Sequence, residues 1–213
     1  ISDEQLAVVS VKNHKQANWV AYELTKAGLS GEHKRKNNFK TDPKIPGKTA
    51  SPNDYKGTDY DRGHLAPAAD MTWSKKAMDE SFYMSNISPQ YYSFNRGAWK
   101  KLEKQIRNWA NAYESVYIVT GGVLSENLKR IGMDSSISVP NEYFKAVIHY
   151  NDIGMKAIGF LMPNEKIKKP ISNYAIEIDS IEYVTGIDFF HQLPDSIENA
   201  LESNIDVKLW LWD

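Results

Sequence analysis

The hydrophobic positions of this 213-residue chain follow two different periods, and each predicts a different kind of element. Short runs rich in β-branched and aromatic side chains predict strands. These runs cover residues 6–11 (LAVVSV), 18–24 (NWVAYEL), 116–120 (VYIVT, followed by Gly121 and Gly122), 144–150 (FKAVIHY) and 155–162 (MKAIGFLM). The last two runs flank Asn151-Asp152-Ile153-Gly154, whose turn residues predict a hairpin.

A helical period of three and four residues is strongest over residues 95–112. Its apolar positions are Trp99, Leu102, Ile106, Trp109 and Ala110. Shorter helices are predicted over residues 74–80, where Ser74 is suited to the N-cap, and over residues 195–203, directly after Pro194.

Residues 37–58 contain several prolines and glycines and predict a long irregular loop. A loop of this length is uncommon in a compact domain unless it serves the function. Strands and helices are interspersed along the chain without a regular βαβ alternation. We therefore predict an α+β fold over a single domain, residues 1–213, with a largely antiparallel central sheet flanked by helices.

Composition narrows the classes of function. Apolar residues make up 41% of the chain and charged residues 25%, which is typical of a soluble globular protein. The chain contains no cysteine, which excludes disulfides, cysteine-ligated metal clusters and thiol catalysis. No apolar run reaches the roughly 18 residues of a transmembrane helix, so we expect no membrane partner.

The net charge of −1 conceals an uneven distribution of charge along the chain. Residues 171–213 hold nine acidic residues and one basic residue, whereas the other 170 residues hold 25 basic and 18 acidic residues. The basic residues form two groups: Lys34, Arg35, Lys36, Lys40, Lys44 and Lys48, and then Arg96, Lys100, Lys101, Lys104 and Arg107. Each group is either a solvated surface or a binding surface for a polyanion, and charge alone does not separate the two.

The segment from Tyr60 to Pro67 contains the first candidate for chemistry, His64. A lone histidine in a strand is usually structural, but Arg62 stands two residues away and projects to the same side of an extended chain. A fixed cation in that position would lower the imidazole pKa and keep the ring neutral, ready to accept a proton from water. Gly63 between them allows a bulky group or another backbone to approach closely. Asp61 is interpreted as a hydrogen-bond partner for nearby backbone.

Asn95 stands at the start of the predicted long helix, where the default role of an asparagine is the N-cap. Its amide oxygen also suits a hard divalent cation such as magnesium. Glu103 lies eight residues further on, too distant for easy direct co-ligation but suited to holding a metal-bound water. Arg107 follows one turn later, where the structural interpretation is a surface ion pair with Glu103.

Three segments in order, DRGH (61–64), SNISPQ (85–90) and NRGAWKKLE (95–103), resemble the motifs of the sugar-non-specific DNA/RNA endonucleases, the endonuclease G-like family. The order and spacing of the three are more specific than DRGH alone. The resemblance extends from about Arg35 to Glu182. It implies the ββα-metal arrangement, with DRGH on a hairpin, Asn95 on a helix and a metal ion between them.

The resemblance implies roles for four residues at the reaction centre. His64 matches the general base that activates the attacking water. Asn95 matches the direct protein ligand of the magnesium ion, for which Mn²⁺ is an expected substitute. Glu103 matches the carboxylate that orients metal-bound water, and Asn86 matches a motif asparagine that supports the site.

Four basic residues are expected to meet the phosphates. The resemblance matches Arg62 and Arg107 to residues that bind or stabilise phosphate, and Lys100 belongs to the basic surface expected to contact the substrate. It matches Arg35 to a further phosphate-binding arginine, in a register that the adjacent Lys34 and Lys36 leave open. Because the water attacks and the 3′-oxygen leaves, the products should carry 5′-phosphates. Contacts to the phosphate backbone carry little sequence information, so both DNA and RNA are expected substrates. The acidic segment 171–213 should lie away from the groove.

The resemblance also gives expectations about partners and location. The family usually forms homodimers, and the sequence leaves open whether a proteinaceous inhibitor exists. The chain begins at Ile1 rather than Met, which we interpret as a processed or trimmed product from which any signal peptide has been removed. The habit of the family predicts a secreted or periplasmic protein.

Two other classes of function stay open. A binding module that kept the fold and lost the chemistry would lack the equivalents of His64 or Asn95, and both are present. The other alternative is a hydrolase of small phosphodiesters or nucleotides, against which the only argument is that the basic groups favour a polymeric substrate. Gly47-Lys48-Thr49 matches the end of the P-loop motif, but a P-loop is excluded because Asp42 stands where the first glycine of that motif belongs. The histidines show no H-x-x-x-H pairing, so a histidine-ligated zinc site is not predicted.

Overall fold

A computed structural model describes residues 6–11, 13–46, 50–134, 136–151 and 154–212 of the chain. The strands are β1 (Leu6–Val11), β2 (Gln16–Thr25), β3 (Tyr60–His64), β4 (Ile87–Tyr91), β5 (Ser115–Gly122), β6 (Arg130–Ile131), β7 (Ile137–Ser138), β8 (Glu142–Asn151), β9 (Gly154–Pro163) and β10 (Ala175–Ile176). Six of them form an antiparallel sheet in the order β1-β2-β5-β8-β9-β10. Two separate ribbons pair β3 with β4 and β6 with β7.

Helices cover both faces of the central sheet. The helices are α1 (Lys26–Leu29), α2 (Lys75–Glu80), α3 (Lys100–Tyr113), α4 (Ile178–Thr185) and α5 (Asp195–Glu202). Strand alternation sends Val116 and Ile118 of β5 into one core and Val119 into the other. The first core contains the apolar side of α3, and the second contains apolar residues of α4 and α5. This arrangement confirms the predicted α+β fold with an antiparallel sheet.

Most of the predicted elements are confirmed, with small shifts at their ends. Strands β2, β8 and β9 run further than their sequence patterns indicate. Gly121 and Gly122 lie inside β5 rather than after it. A Cβ on Gly121 would come within 2.4 Å of the Asn18 carbonyl oxygen, so only glycine fits this close approach. The β8–β9 hairpin is present, although two of its predicted turn residues, 152 and 153, lie outside the described residues.

The predicted helix over 95–112 is correct only in its second part. The regular α-helix begins at Lys100, and a π-helical turn, Phe94–Trp99, precedes it. Within that turn, Gly97 has φ −106° and ψ −105°, outside the helical region. Asn95 therefore lies inside an irregular turn and is not the N-cap of α3. Such π-turns are frequent at functional sites, where they change the direction of side chains.

The other local predictions agree with the structure. The hydroxyl of Ser74 caps α2 by accepting a hydrogen bond from the Ala77 backbone amide at 3.3 Å. Helix α5 follows Pro194 as expected. Among its described residues, the loop over 37–58 is irregular apart from one short 3-10 turn, Pro52–Tyr55, and an isolated parallel β-bridge between Lys40 and Tyr83. Residues 47–49, which include Lys48 of the first basic group, lie outside the described residues.

Candidate active site

The β3–β4 ribbon positions the DRGH segment. In its antiparallel register His64 faces Ile87, Gly63 faces Ser88 and Arg62 faces Pro89. The side chain of Gln90 packs directly on Gly63, where an added Cβ would come within 2.2 Å of Gln90 Oε1. The predicted close approach at Gly63 is therefore confirmed, and the approaching group is a side chain of the partner strand.

Asn86 holds the chain that follows His64. Its side-chain oxygen accepts a hydrogen bond from the Ala66 backbone amide at 2.9 Å. Its Nδ2 donates to the carbonyl oxygens of Ala66 and Ser81, both at 2.9 Å. The residue is 1% exposed and lies beneath the cleft rather than in its lining. This geometry fits a residue that positions His64 and does not touch substrate.

Asp61 ties the strand that carries His64 to the turn that carries Asn95. Asn95 Nδ2 donates to Asp61 Oδ2 at 2.9 Å, which leaves Asn95 Oδ1 available as an acceptor. Arg96 donates to both Asp61 oxygens, at 2.8 and 2.6 Å. Burial alone would raise the pKa of Asp61, but the hydrogen bonds from Arg96 and Asn95 outweigh it and lower this pKa. The expected partner of Asp61 was backbone, and the side-chain contacts were not predicted.

A cleft of about 950 Å³ opens between β3, the irregular loop and α3. It is lined by seven of the eight candidate residues, namely Arg35, Arg62, His64, Asn95, Lys100, Glu103 and Arg107. Every lining residue lies between Arg35 and Arg107, so the described part of the acidic segment, residues 171–212, lies outside the lining, as expected. Neither Lys34 nor Lys36 lines the cleft, which favours Arg35 as the basic residue that belongs to the site.

His64 is held in a dry environment at this cleft. The residue is 7% exposed, and its ring packs against Phe39 and Phe82 with centroid distances of 5.5 and 5.0 Å. Burial, followed by the charge of Arg35, lowers the pKa of His64 to about 3. The predicted direction is confirmed, but the predicted cause was wrong. The guanidinium of Arg62 lies over the Phe39 ring, 4.4 Å from its centroid, and the cation that lowers the His64 pKa is Arg35.

The Nε2 atom of His64 is buried and has no hydrogen-bond partner among the described residues. Buried polar atoms are nearly always paired, so an orphaned imidazole nitrogen indicates a group that a ligand or water satisfies. A neutral imidazole with one free nitrogen has the state required of a general base.

Arg107 is anchored from below the cleft by a buried carboxylate. Its Nη1 donates to Asp70 Oδ1 at 2.8 Å, and Tyr22 donates its hydroxyl to Asp70 Oδ2 at 2.7 Å. The predicted surface pair of Glu103 with Arg107 is therefore wrong, because the ion pair of Arg107 is with Asp70. Asp70 is 2% exposed, so this pair fixes the guanidinium much more firmly than a surface pair would.

Lys145 is a buried residue of the site that the sequence patterns did not indicate. It is 1% exposed on β8, and its Nζ donates to the carbonyl oxygen of Leu65 at 3.3 Å and to Thr120 Oγ1 at 3.2 Å. Burial lowers the pKa of Lys145, while the nearby carboxylates of Glu103 and Asp70 oppose that shift. Desolvation likewise raises the pKa of Glu103, and Lys145 opposes it. The lysine therefore compensates charge directly under the cleft, next to the residue that follows His64.

Comparisons with known proteins identify a family, relatives and a solved structure that are similar to this chain. Residues 1–196 match the family described as DNA/RNA non-specific endonuclease. The mitochondrial endonuclease G of Bos taurus is 34% identical over 185 residues, covering 80% of this chain and 62% of that protein. The mitochondrial nuclease of Saccharomyces cerevisiae is 34% identical, with coverage of 96% and 70%. The crystal structure of an EndoG/EndoGI complex superposes with a TM-score of 0.82 at 28% identity, covering 91% of this chain and 86% of that chain.

The comparisons also show how much of the relatives' length this chain spans, and they correct the predicted location of the protein. The chain spans 62% of the length of both bovine and human endonuclease G. The expectation of a secreted or periplasmic protein is wrong, because the relatives from cattle, human and yeast are mitochondrial nucleases. Among the described residues, no helix is both long enough and apolar enough to cross a membrane.

Proposed function

The chain belongs to the DNA/RNA non-specific endonuclease family, and on that premise we propose that it is a metal-dependent endonuclease that hydrolyses phosphodiester bonds of DNA and RNA without sequence specificity. One observation carries this proposal: the neutral His64, with an orphaned Nε2, lies in the same cleft as Asn95 and Glu103. The cations of that cleft supply the charge that a phosphate backbone needs.

His64 acts as the general base. With a pKa of about 3 the ring is neutral at pH 7, and Nε2 is the atom that accepts the proton of the attacking water. So low a pKa makes the His64 imidazole a weak base in the free protein. The phosphate of a bound substrate, an anion beside the imidazole, raises the pKa of His64 toward the working pH and so strengthens the base when it is needed.

Asn95 and Glu103 fit a hard divalent cation. Asn95 offers Oδ1 because Asp61 holds its Nδ2, and Glu103 offers a carboxylate for metal-bound water. We propose Mg²⁺, with Mn²⁺ as a substitute. When bound, such an ion supplies charge stabilisation at the phosphoryl oxygens and at the leaving 3′-oxygen.

The remaining cleft residues bind the phosphate backbone. Arg107, held by Asp70, and Arg62, held over Phe39, present guanidinium groups whose fork suits phosphate oxygens. Arg35 and Lys100 extend this basic lining. Recognition through phosphate is consistent with cleavage that ignores base sequence.

Two further expectations about partners follow from the family. The similar solved structure is an EndoG/EndoGI complex that concerns the mechanism of EndoG inhibition. This similarity supports a proteinaceous inhibitor for this chain as well. The homodimer stays a prediction.

The nature of the product ends tests the proposed reaction. Purified protein with Mg²⁺ should degrade both plasmid DNA and a mixed-sequence RNA, and EDTA should stop both reactions. The fragments should accept a labelled phosphate from polynucleotide kinase only after phosphatase treatment, because water attack with a leaving 3′-oxygen gives 5′-phosphates. Fragments with free 5′-hydroxyls, or cleavage that persists in EDTA, would overturn the proposed chemistry.

A further inference from the structure

Helices α4 and α5 pack on the face of the sheet opposite the cleft. Their apolar residues Ile178, Ile181 and Leu201 are buried in the second core. Acidic residues cluster where the two helices meet, and this is the most acidic part of the sequence. All lining residues of the proposed active site precede Asn108, so these acids lie outside that site.

Three carboxylates converge at this junction. Asp179 and Glu182 lie three residues apart on α4, and Glu202 comes from the end of α5. One oxygen from each lies within 4.8 Å of the other two. Among the described residues, no ion pair within 4.0 Å involves these side chains. Mutual repulsion at such distances is unfavourable unless a cation or protons offset it.

A second observation indicates a ligand at this junction. Glu202 is only 4% exposed, yet its Oε1 has no hydrogen-bond partner among the described residues. Glu198, one turn earlier on α5, has a buried Oε1 in the same condition. A carboxylate removed from water is normally paired or bound to a metal, so Glu202, which has an orphaned buried oxygen and one oxygen within 4.8 Å of two other carboxylates, is incomplete without a partner.

The neighbouring contacts leave oxygens available. Oε1 of Glu182 accepts a hydrogen bond from the Phe189 backbone amide at 2.6 Å, so the other carboxylate oxygen of Glu182 can bind a ligand. Burial, followed by repulsion from Glu182 and Glu198, raises the pKa of Glu202 to about 8. A divalent cation at this position would remove that repulsion.

We propose that Asp179, Glu182 and Glu202 form a Ca²⁺ site that joins α4 to α5. Calcium accepts six to eight oxygen ligands in flexible geometry, including several carboxylates, whereas magnesium demands a near-ideal octahedron and keeps most of its waters. Three carboxylates on two helices suit the former. The role of the ion is structural: it fixes the C-terminal helices on the sheet, and it is independent of the proposed catalysis.

Calorimetric titration with CaCl₂ tests this site. The wild type should bind Ca²⁺, and the double variant Asp179→Asn with Glu202→Gln should bind one ion fewer. The control variant Asp195→Asn removes an exposed acid from the start of α5 and should titrate like the wild type. Any calcium taken up in the distant cleft would persist in all three proteins, so only the difference between them reports on the α4–α5 site.

Thermal unfolding gives a second readout. Ca²⁺ should raise the Tm of the wild type and of Asp195→Asn but leave the Tm of the double variant unchanged, because a ligand stabilises only the form that binds it. Should the double variant not fold, Asp179→Asn alone changes an exposed residue and should weaken Ca²⁺ binding at least about tenfold. Wild-type protein that binds no calcium up to about 5 mM, a range that includes weak protein sites, would overturn the proposal. A double variant, or an Asp179→Asn variant, that titrates like the wild type would overturn it too.

Discussion

Asp61 accepts a hydrogen bond from the side-chain amide of Asn95 at 2.9 Å. This contact joins strand β3, which carries His64, to the π-helical turn before α3. Because the same carboxylate also binds Arg96 through two hydrogen bonds, Asp61 fixes the orientation of that turn. The distance between the proposed base and the proposed metal ligand therefore depends on an acid that touches neither water nor phosphate in the proposed reaction.

Replacing Asp61 should disturb the metal requirement. Asp61→Ala leaves the amide of Asn95 free to rotate, so we expect turnover to fall by about 10- to 100-fold and the Mg²⁺ concentration for half-maximal activity to rise, as for other residues that orient a metal ligand. The control is Asp59→Ala, which removes an exposed acid two residues earlier. An Mg²⁺ titration of plasmid cleavage measures both. Identical Mg²⁺ dependence in the wild type and Asp61→Ala would contradict the positioning role.

Lys145 should matter for stability. Lys145→Met leaves Asp70 and Glu103 with less compensating charge and the Leu65 carbonyl without its donor. We expect the free energy of unfolding to fall by about 3–5 kcal/mol, the usual effect of breaking a buried charge network. Urea unfolding of Lys145→Met beside Lys166→Met, an exposed lysine, measures this difference. Equal stability of the two variants would show that the buried ammonium is dispensable.

A comparison of two adjacent lysines tests whether the lining of the cleft, rather than the general surface, contacts DNA. Lys100 and Lys101 are both exposed at the start of α3, but only Lys100 lines the cleft. If Lys100 contacts phosphate, Lys100→Ala should reduce the salt dependence of DNA binding by about one unit of slope, and Lys101→Ala should not. Fluorescence anisotropy across a salt series, with EDTA to prevent cleavage, provides the slopes. Equal slopes for both variants would mean that Lys100 is merely solvated.

The buried state of His64 predicts a pH dependence of stability. The pKa is about 3 in the folded protein and 6.5 as the ordinary value. Between these values the unfolded chain binds a proton that the folded protein does not, so His64 lowers stability progressively as the pH falls below 6.5. In His64→Gln this contribution vanishes. The slope of unfolding free energy against pH should differ by up to about 1.4 kcal/mol per pH unit. Urea unfolding at pH 7, 6 and 5 in EDTA should show curves that diverge, and parallel curves would refute the dry environment of His64.

The sequence predicted much of the site because its three motifs lie on elements that pack against one another, namely the β3–β4 ribbon and the turn and helix that follow β4. His64, Asn95 and Glu103 come from β3, the turn before α3 and α3 itself, and the antiparallel pairing of β3 with β4 brings these elements together. Their meeting in one cleft agrees with the expectation drawn from DRGH and the later motifs. The chemical roles of these residues stay predictions.

The sequence could not indicate contacts set by distant elements. Lys145 stands in an apolar run that predicts only a strand, and its contact with Leu65 depends on how β8 packs beneath the cleft. The pairing of Arg107 with Asp70 likewise joins residues 37 positions apart. The continuous helical period over 95–112 concealed the break at Gly97, because apolar spacing does not register a local change in backbone angles.

The central claim is that His64 activates the attacking water, and one comparison tests it most directly. Wild type and His64→Ala should be assayed together on supercoiled plasmid with Mg²⁺, alongside DNA binding in EDTA and a thermal unfolding curve. Loss of a general base should lower the cleavage rate by about 10²- to 10⁴-fold while binding and folding persist. A folded His64→Ala protein that nicks the plasmid at the wild-type rate would contradict the account.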